Sequence, residues 1–356
     1  MRYVMGGLSC LLLVGLLGFQ NPAPPPSPER SLSAFTNDDG SRPDGRVAMR
    51  DDSSAMKKAL AVGPGLVRIG PGHYRLSEIT IPTGVTVIGT GTGTVLQATG
   101  SKPVFKQSAV AGWRLRDVTV QGEATGPWKE RTDQGAHGIV IEGCSNYEVT
   151  GTQIKDFAGV GLQITRTNLQ TSGFTNGGMV SSIATTGNYI GVRFDTRGEY
   201  VTASQLMCHY NVIGLVIHAG NTNISNSNIG SNTDGIVIDD RENGSHGSLT
   251  GCLVNHNDRY AILGKNVLNA MAISNCCFFY GTIQLENCLG VNVTSSLLGC
   301  NVKTSGDLPN RFAGNHVVTE GQRFDFAPAT IVEDNFTKTG PWTLNQVAVI
   351  KPVEKK

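Results

Sequence analysis

A short segment recurs along the middle of the chain, and this internal repeat constrains the fold more than any other feature of the sequence. Gly138-Ile139-Val140-Ile141-Glu142, Gly161-Leu162-Gln163-Ile164-Thr165, Gly191-Val192-Arg193-Phe194-Asp195, Gly214-Leu215-Val216-Ile217-His218 and Gly235-Ile236-Val237-Ile238-Asp239 are copies of one pattern. Ala261-Ile262-Leu263-Gly264-Lys265 and Thr282-Ile283-Gln284-Leu285-Glu286 continue it more loosely. The spacings are 23, 30, 23, 21, 26 and 21 residues, a period of 21 to 23 with insertions. A second element falls in most periods, as in Val149-Thr150-Gly151-Thr152-Gln153-Ile154, Ile224-Ser225-Asn226-Ser227-Asn228-Ile229 and Ile273-Ser274-Asn275-Cys276-Cys277-Phe278.

Each period alternates apolar or β-branched with polar positions and breaks at Gly, Asn or Ser, with no amphipathic stretch of helix length. Short strands of this kind bury their apolar sides only by stacking, one period per turn, into a continuous core. The expected fold is all-β: a single-stranded right-handed parallel β-helix (a solenoid) of roughly eight to ten coils. A propeller or sandwich needs tight hairpin turns between paired strands, whereas Asn176-Gly177 and Asn243-Gly244 fall in the longer insertions. Composition agrees: hydrophobic residues make up 39% of the chain, enough for a large core, and the 45 glycines lack the collagen period. With 29 Lys and Arg against 28 Asp and Glu, the net charge of +1 provides no basic stripe for nucleic acid.

Residues 38–96 resemble a known family. Asp38-Asp39-Gly40, the run Asp51 to Leu60, Val67-Arg68-Ile69-Gly70-Pro71-Gly72-His73-Tyr74-Arg75-Leu76 and Ile79 to Gly89 follow one another. They are similar to the opening module of the pectate-lyase-like (pectin lyase-like) β-helix superfamily, of the rhamnogalacturonase and epimerase type. The resemblance implies a short N-terminal helix over the first coil. Asp52 or Ser53 is suited to cap a helix over Ala55 to Leu60 and so cover the open end of the core. With the repeat, the resemblance covers residues 38–318. It implies action on, or binding of, polysaccharide, since the module is shared by pectin hydrolases, lyases, epimerases and phage tailspikes.

Domain organisation follows. Residues 1–22, with Arg2 and an apolar run from Val4 to Phe19, read as a secretory signal peptide, so the expected location is secreted, periplasmic or cell surface. The run is shorter than a bilayer span, so no stable membrane insertion is expected. A Pro-rich linker occupies 23–37, the β-helix 38–320, a C-terminal cap 321–350 and a tail 351–356.

Candidate chemistry lies on the outward side of the repeat. If positions one and three after each Gly face inward, position four stacks as a column: Glu142, Thr165, Asp195, His218, Asp239, Lys265 and Glu286. His218 then lies between two carboxylates, and Asp195 and Asp239 are about 9.5 Å apart, the upper range for an inverting glycosidase. The expected catalytic residues are Asp195, His218, Asp239 and Asp240, one Asp acting as general acid and the other activating water. Arg193, Lys265, Glu286 and Trp128 are the expected substrate contacts, Trp128 as an apolar platform for a sugar ring in the Gly122 to His137 insertion. The alternative is a non-catalytic surface or binding scaffold whose charged column is merely a wetted face. A third reading is a lyase or epimerase using Lys265, Arg193 or Arg241 as base and Asp195, Asp239 and Glu286 around Ca²⁺; otherwise no cofactor is expected. Asn232-Thr233-Asp234, Asp239-Asp240 and Gly244-Ser245-His246-Gly247 resemble polygalacturonase motifs but crowd into sixteen residues, and Asn232 to Gly235 reads more simply as a turn entering a strand. Of the 8 cysteines, Cys252 and Cys276 are placed on an inward column with Thr152, Ser204, Ser227 and Ser296, as buried thiols rather than a disulfide. No His/Cys spacing suggests zinc. Oligomeric state is not legible.

Overall fold

The computed structural model describes residues 28–46, 50–166, 174–239, 244–318 and 321–342. Each coil contributes one strand to each of three faces. The first face is a 13-stranded sheet running from Glu29–Ser31 to Ile331–Glu333. The other two join into one 21-stranded sheet because Cys277–Glu286 and Leu297–Ser305 run unbroken around the corner between them. Successive coils pair parallel; the one antiparallel pair among the described strands is Phe336–Thr337 with Gly340–Pro341. The result is a parallel β-solenoid of about 11 turns, slightly more than the repeat alone suggests. Coils at both ends diverge from the consensus but keep its pairing: Glu29–Ser31, in the stretch read as linker, pairs with Leu66–Arg68, and Ile331–Glu333 pairs with Arg311–Ala313.

Stacking in register turns alternation into a core. On the first face Leu115, Val149, Val180, Ala203, Ile224, Leu249, Ile273, Val293 and Phe312 form one inward column, all buried. Each large member contributes about 1.5–3 kcal/mol of burial, so the column is a principal source of stability. The outward column beside it is Thr150, Ser181, Ser204, Ser225, Thr250, Ser274 and Thr294. Ser204 therefore faces outward, and the place assigned to it among the inward small residues belongs to Leu206, whose N–H donates to Ser227 Oγ at 3.1 Å. All seven cysteines in the described residues are free thiols, with the Cys252 N–H 3.4 Å from Cys276 Sγ.

The helix Ser53–Ala61 covers the N-terminal opening, burying Ala55, Met56, Ala59 and Leu60 in the same core. Its cap differs from the expected one. The side chains of Asp52 and Ser53 make no capping bond. Asn37 Oδ1 accepts the Ala55 N–H at 3.2 Å instead, and Asn37 Nδ2 donates to the buried Asp52 carboxylate at 3.0 Å. The Ala55 N–H is thus capped from 18 residues upstream, beyond the reach of a local capping rule, while the Asp51 carboxylate accepts the Ser53 N–H at 2.9 Å.

The glycines that open each repeat have a steric cause. A Cβ on Gly191 would lie 2.6 Å from the Gly214 carbonyl oxygen and 3.1 Å from Asn211 Nδ2; one on Gly214 would lie 2.8 Å from the Gly235 oxygen and 2.7 Å from Asn232 Nδ2. The glycines make room for an asparagine ladder at the corner, Asn188, Asn211, Asn232 and Asn257, all essentially buried. Each Nδ2 donates to the next Oδ1, at 2.9, 3.3 and 3.0 Å, and each Oδ1 also accepts a backbone N–H, those of Phe157, Asn188, Asn211 and Asn232. Backbone groups freed by the sharp corner are thus satisfied without water.

Candidate functional site

The third face, carrying the Gly-initiated strands, has an apolar floor on its outer side. Val160, Ile190 and Val216 are buried there, with Tyr189, Ile213 and Val237 against them. The position-four column runs along one margin of this floor. Strand register pairs its two ends, Glu142 opposite Thr165, and Asp239 opposite Lys265 opposite Glu286, and the ladder between them runs to the residues just before Asp195, His218 and Asp239.

Asp195 and His218 meet directly, with His218 Nδ1 3.2 Å from Asp195 Oδ1. Arg193 Nη2 lies 3.1 Å from Asp195 Oδ2, Gln163 Nε2 donates to the same oxygen at 3.4 Å, and the Thr196 N–H donates to Oδ1 at 3.0 Å. His218 is 5% exposed, and Asp195 and Arg193 are mostly covered. Burial works to raise the Asp195 pKa, but the bond from His218, the Arg193 charge and the Thr196 N–H together outweigh it and hold the carboxyl well below the usual carboxylate range. An ionised Asp195 accepts a hydrogen bond from Nδ1–H, which places the exchangeable lone pair of the neutral ring on Nε2. The geometry therefore suits Asp195 to orient His218 and not to donate a proton itself.

The remaining expected residues occupy distinct places. Asp239 follows His218 on the column, and its backbone oxygen accepts Ser245 Oγ at 2.8 Å. Asp240 and Arg241 lie outside the described residues. Lys265 Nζ pairs with Glu286 Oε2 at 3.5 Å, and Gln284 also donates to Glu286. Trp128 is at the opposite end of these strands, at the corner where they begin, edge-on to Tyr210 with centroids 6.2 Å apart and Lys129 Nζ over its ring. The structure thus gathers Gln163, Arg193, Asp195 and His218 into one group, continues the column through Asp239, Lys265 and Glu286, and sets Trp128 apart. Among the described residues no group of three or more His, Cys, Asp or Glu side chains is placed to hold a metal ion. Of the carboxylates expected around Ca²⁺, Asp195 is ion-paired with Arg193 and Glu286 with Lys265.

His137 is a site neighbour that sequence reasoning passed over. Its Nδ1 accepts the Val160 N–H at 3.0 Å, and burial, aided by the Arg193 charge and opposed by Asp133, pushes its pKa down. Its position immediately before Gly138, at the end of an insertion, was the available signal. The insertion is anchored: Arg131 pairs with Asp156 at 3.5 Å, and Lys129 Nζ reaches Asp258 Oδ2 at 2.5 Å. It encloses an open recess of about 370 Å³ lined by Glu123, Pro127, Glu130, Arg131 and Ala158 among others.

Solved structures share this architecture. The capsular polysaccharide depolymerase tailspike gp49 of Acinetobacter baumannii bacteriophage Fri1 superposes with a TM-score of 0.59 at 13% identity, over 87% of this chain and 59% of that one. The shared fold is a parallel β-helix. An N-terminal fragment of the bacteriophage Phi29 gene product 12 gives 0.61 at 14% identity over 86% of this β-helix and 62% of that chain. The catalytic unit of a GH87 α-1,3-glucanase from Streptomyces thermodiastaticus gives 0.52 at 15% identity, over 87% and 71%. This β-helix thus spans about three fifths of the phage proteins it matches. No protein-family model and no curated protein matches the chain.

Proposed function

We propose that the chain is a carbohydrate-active β-helix protein that works outside the cell or at a surface and hydrolyses a polysaccharide at the Asp195–His218 group. The observation that carries this reading is a buried histidine, oriented by an ion-paired carboxylate, on the outer face of a solenoid and beside an apolar floor. A buried histidine paired with a carboxylate on an otherwise water-facing side of a sheet is the kind of placement that clusters at acid–base sites. In this reading His218 Nε2 exchanges the proton, Asp195 fixes its tautomer, and Asp239, about one coil further along the column, supplies the second carboxylate. Arg193, Lys265 and Glu286 contact the polymer. The similarity to a capsular depolymerase and a glucanase supports the substrate class.

The test is reducing-end release from polygalacturonate, alginate, α-1,3-glucan and bacterial capsular polysaccharide, with absorbance of unsaturated uronates followed in parallel. Release without absorbance, abolished in His218→Ala, is expected. A chelator-sensitive absorbance rise would replace hydrolysis by elimination, and activity unaffected by His218→Ala would remove the group from the chemistry.

A further inference from the structure

Left-handed backbone recurs at the corner between the second and third faces, one residue per coil. Asp156, Gly187, Tyr210, Ser231, His256 and Tyr280 occupy it, all with φ between 52° and 66°. Register stacks them: His209, Gly230, Asn255 and Phe279, the residues immediately before the last four, are paired coil to coil. A corner of this conformation favours Gly or Asn, and bulky side chains there carry a steric cost. Two tyrosines and a histidine nevertheless sit at it, and both tyrosines are more than half exposed. Their rings form contacts along the ridge. Trp128 lies against Tyr210, and the His256 and Tyr280 centroids are 4.3 Å apart. Neighbouring charges are internally paired, Lys129 with Asp258 and Arg259 with Asp234.

Strained, exposed aromatic residues that bury nothing in the core point to an external partner. We propose that Trp128, Tyr210, His256 and Tyr280 form a second carbohydrate contact, an aromatic ridge parallel to the solenoid axis that holds a polysaccharide chain away from the Asp195–His218 group. The rise of about 4.8 Å per coil places Tyr210 and Tyr280 roughly 14 Å apart, a span of a few sugar units. Rings of this kind stack on the aliphatic face of a pyranose, and tyrosine adds a hydroxyl for hydrogen bonding at low entropic cost. Self-paired flanking charges leave stacking as the means of recognition. This inference rests on the polysaccharide reading above.

The test is affinity electrophoresis of the full chain in gels containing the same four polymers, comparing wild type with Tyr210→Asn/Tyr280→Asn and with Tyr200→Asn. Tyr200 is also an exposed, left-handed tyrosine (φ 53°), but on another corner, so it controls for the chemical change. The double variant is expected to lose retention roughly tenfold and to melt at or above the wild-type temperature, because Asn suits the left-handed corner; Tyr200→Asn should be retained like wild type. Wild-type retention in the double variant, or a loss accompanied by a lower melting temperature or matched by Tyr200→Asn, would overturn the ridge. If the wild type cleaves a polymer while the double variant is fully retained, the ridge alone falls. If the wild type neither binds nor cleaves any of the four, the polysaccharide reading falls and takes the ridge with it.

Discussion

In the proposed site His218 is the group that moves protons and Asp195 the group that stays charged. Replacing His218 with Ala should lower turnover by about 10²–10⁴, the usual contribution of a positioned acid or base, while the fold persists. Asp195 also enters stability. Its folded pKa is depressed, so the ionised carboxylate stabilises the native state above the unfolded value of about 3.9, and that contribution is lost as pH falls through the lower folded value. The melting temperature of Asp195→Asn should therefore lie below that of wild type at neutral pH, with the gap closing under strongly acid conditions; a gap constant across the pH series would contradict the pairing. Period counting brought Asp195, His218 and Arg193 to one face, because a strict two-residue alternation leaves no choice of side. The full set of Asp195 contacts was not legible, since Gln163 comes from the preceding coil, a neighbour that only register reveals. The place of Trp128 was not legible for the opposite reason: an insertion has no period, so its position at the far corner is set by Lys129, Arg131 and Tyr210.

The asparagine ladder and the glycine column act as one element. Asn232→Ala should cost about 1–3 kcal/mol by stranding the Asn211 N–H and the Cys208 oxygen in a dry interior, measurable by denaturant unfolding. Gly214→Ala should also destabilise, since the new methyl meets Asn232 Nδ2 and the Gly235 oxygen. Because Asn232 supplies one of the three atoms that methyl would meet, the double variant should cost less than the sum of the two; strict additivity would show that ladder and column are independent. The sequence displays the glycines openly and the ladder only in hindsight, as Asn three residues before each of Gly191, Gly214 and Gly235. Asn232 fitted a turn equally well, and one position seen alone does not distinguish an amide that bonds its own chain from one that bonds the next coil.

For the whole molecule, nearest-neighbour stacking makes the ends the weak points. Met56, wholly buried under the first coil, should be intolerant of charge: Met56→Asp is expected to expose the core and drive self-association, visible by size-exclusion chromatography as material larger than wild type. Repeat number and ends were the least readable parts of the fold, because terminal coils abandon the consensus while retaining its pairing, as Glu29–Ser31 does. Along the axis the strands themselves are electrically even, with carbonyls alternating toward one neighbour and the other. The Nδ2 groups of Asn188, Asn211 and Asn232 reach the Oδ1 of the following coil and also the backbone oxygens of Ile154, Thr185 and Cys208 in the coil before. Each rung thereby straps three successive coils together, and the corner is held from both sides along the axis.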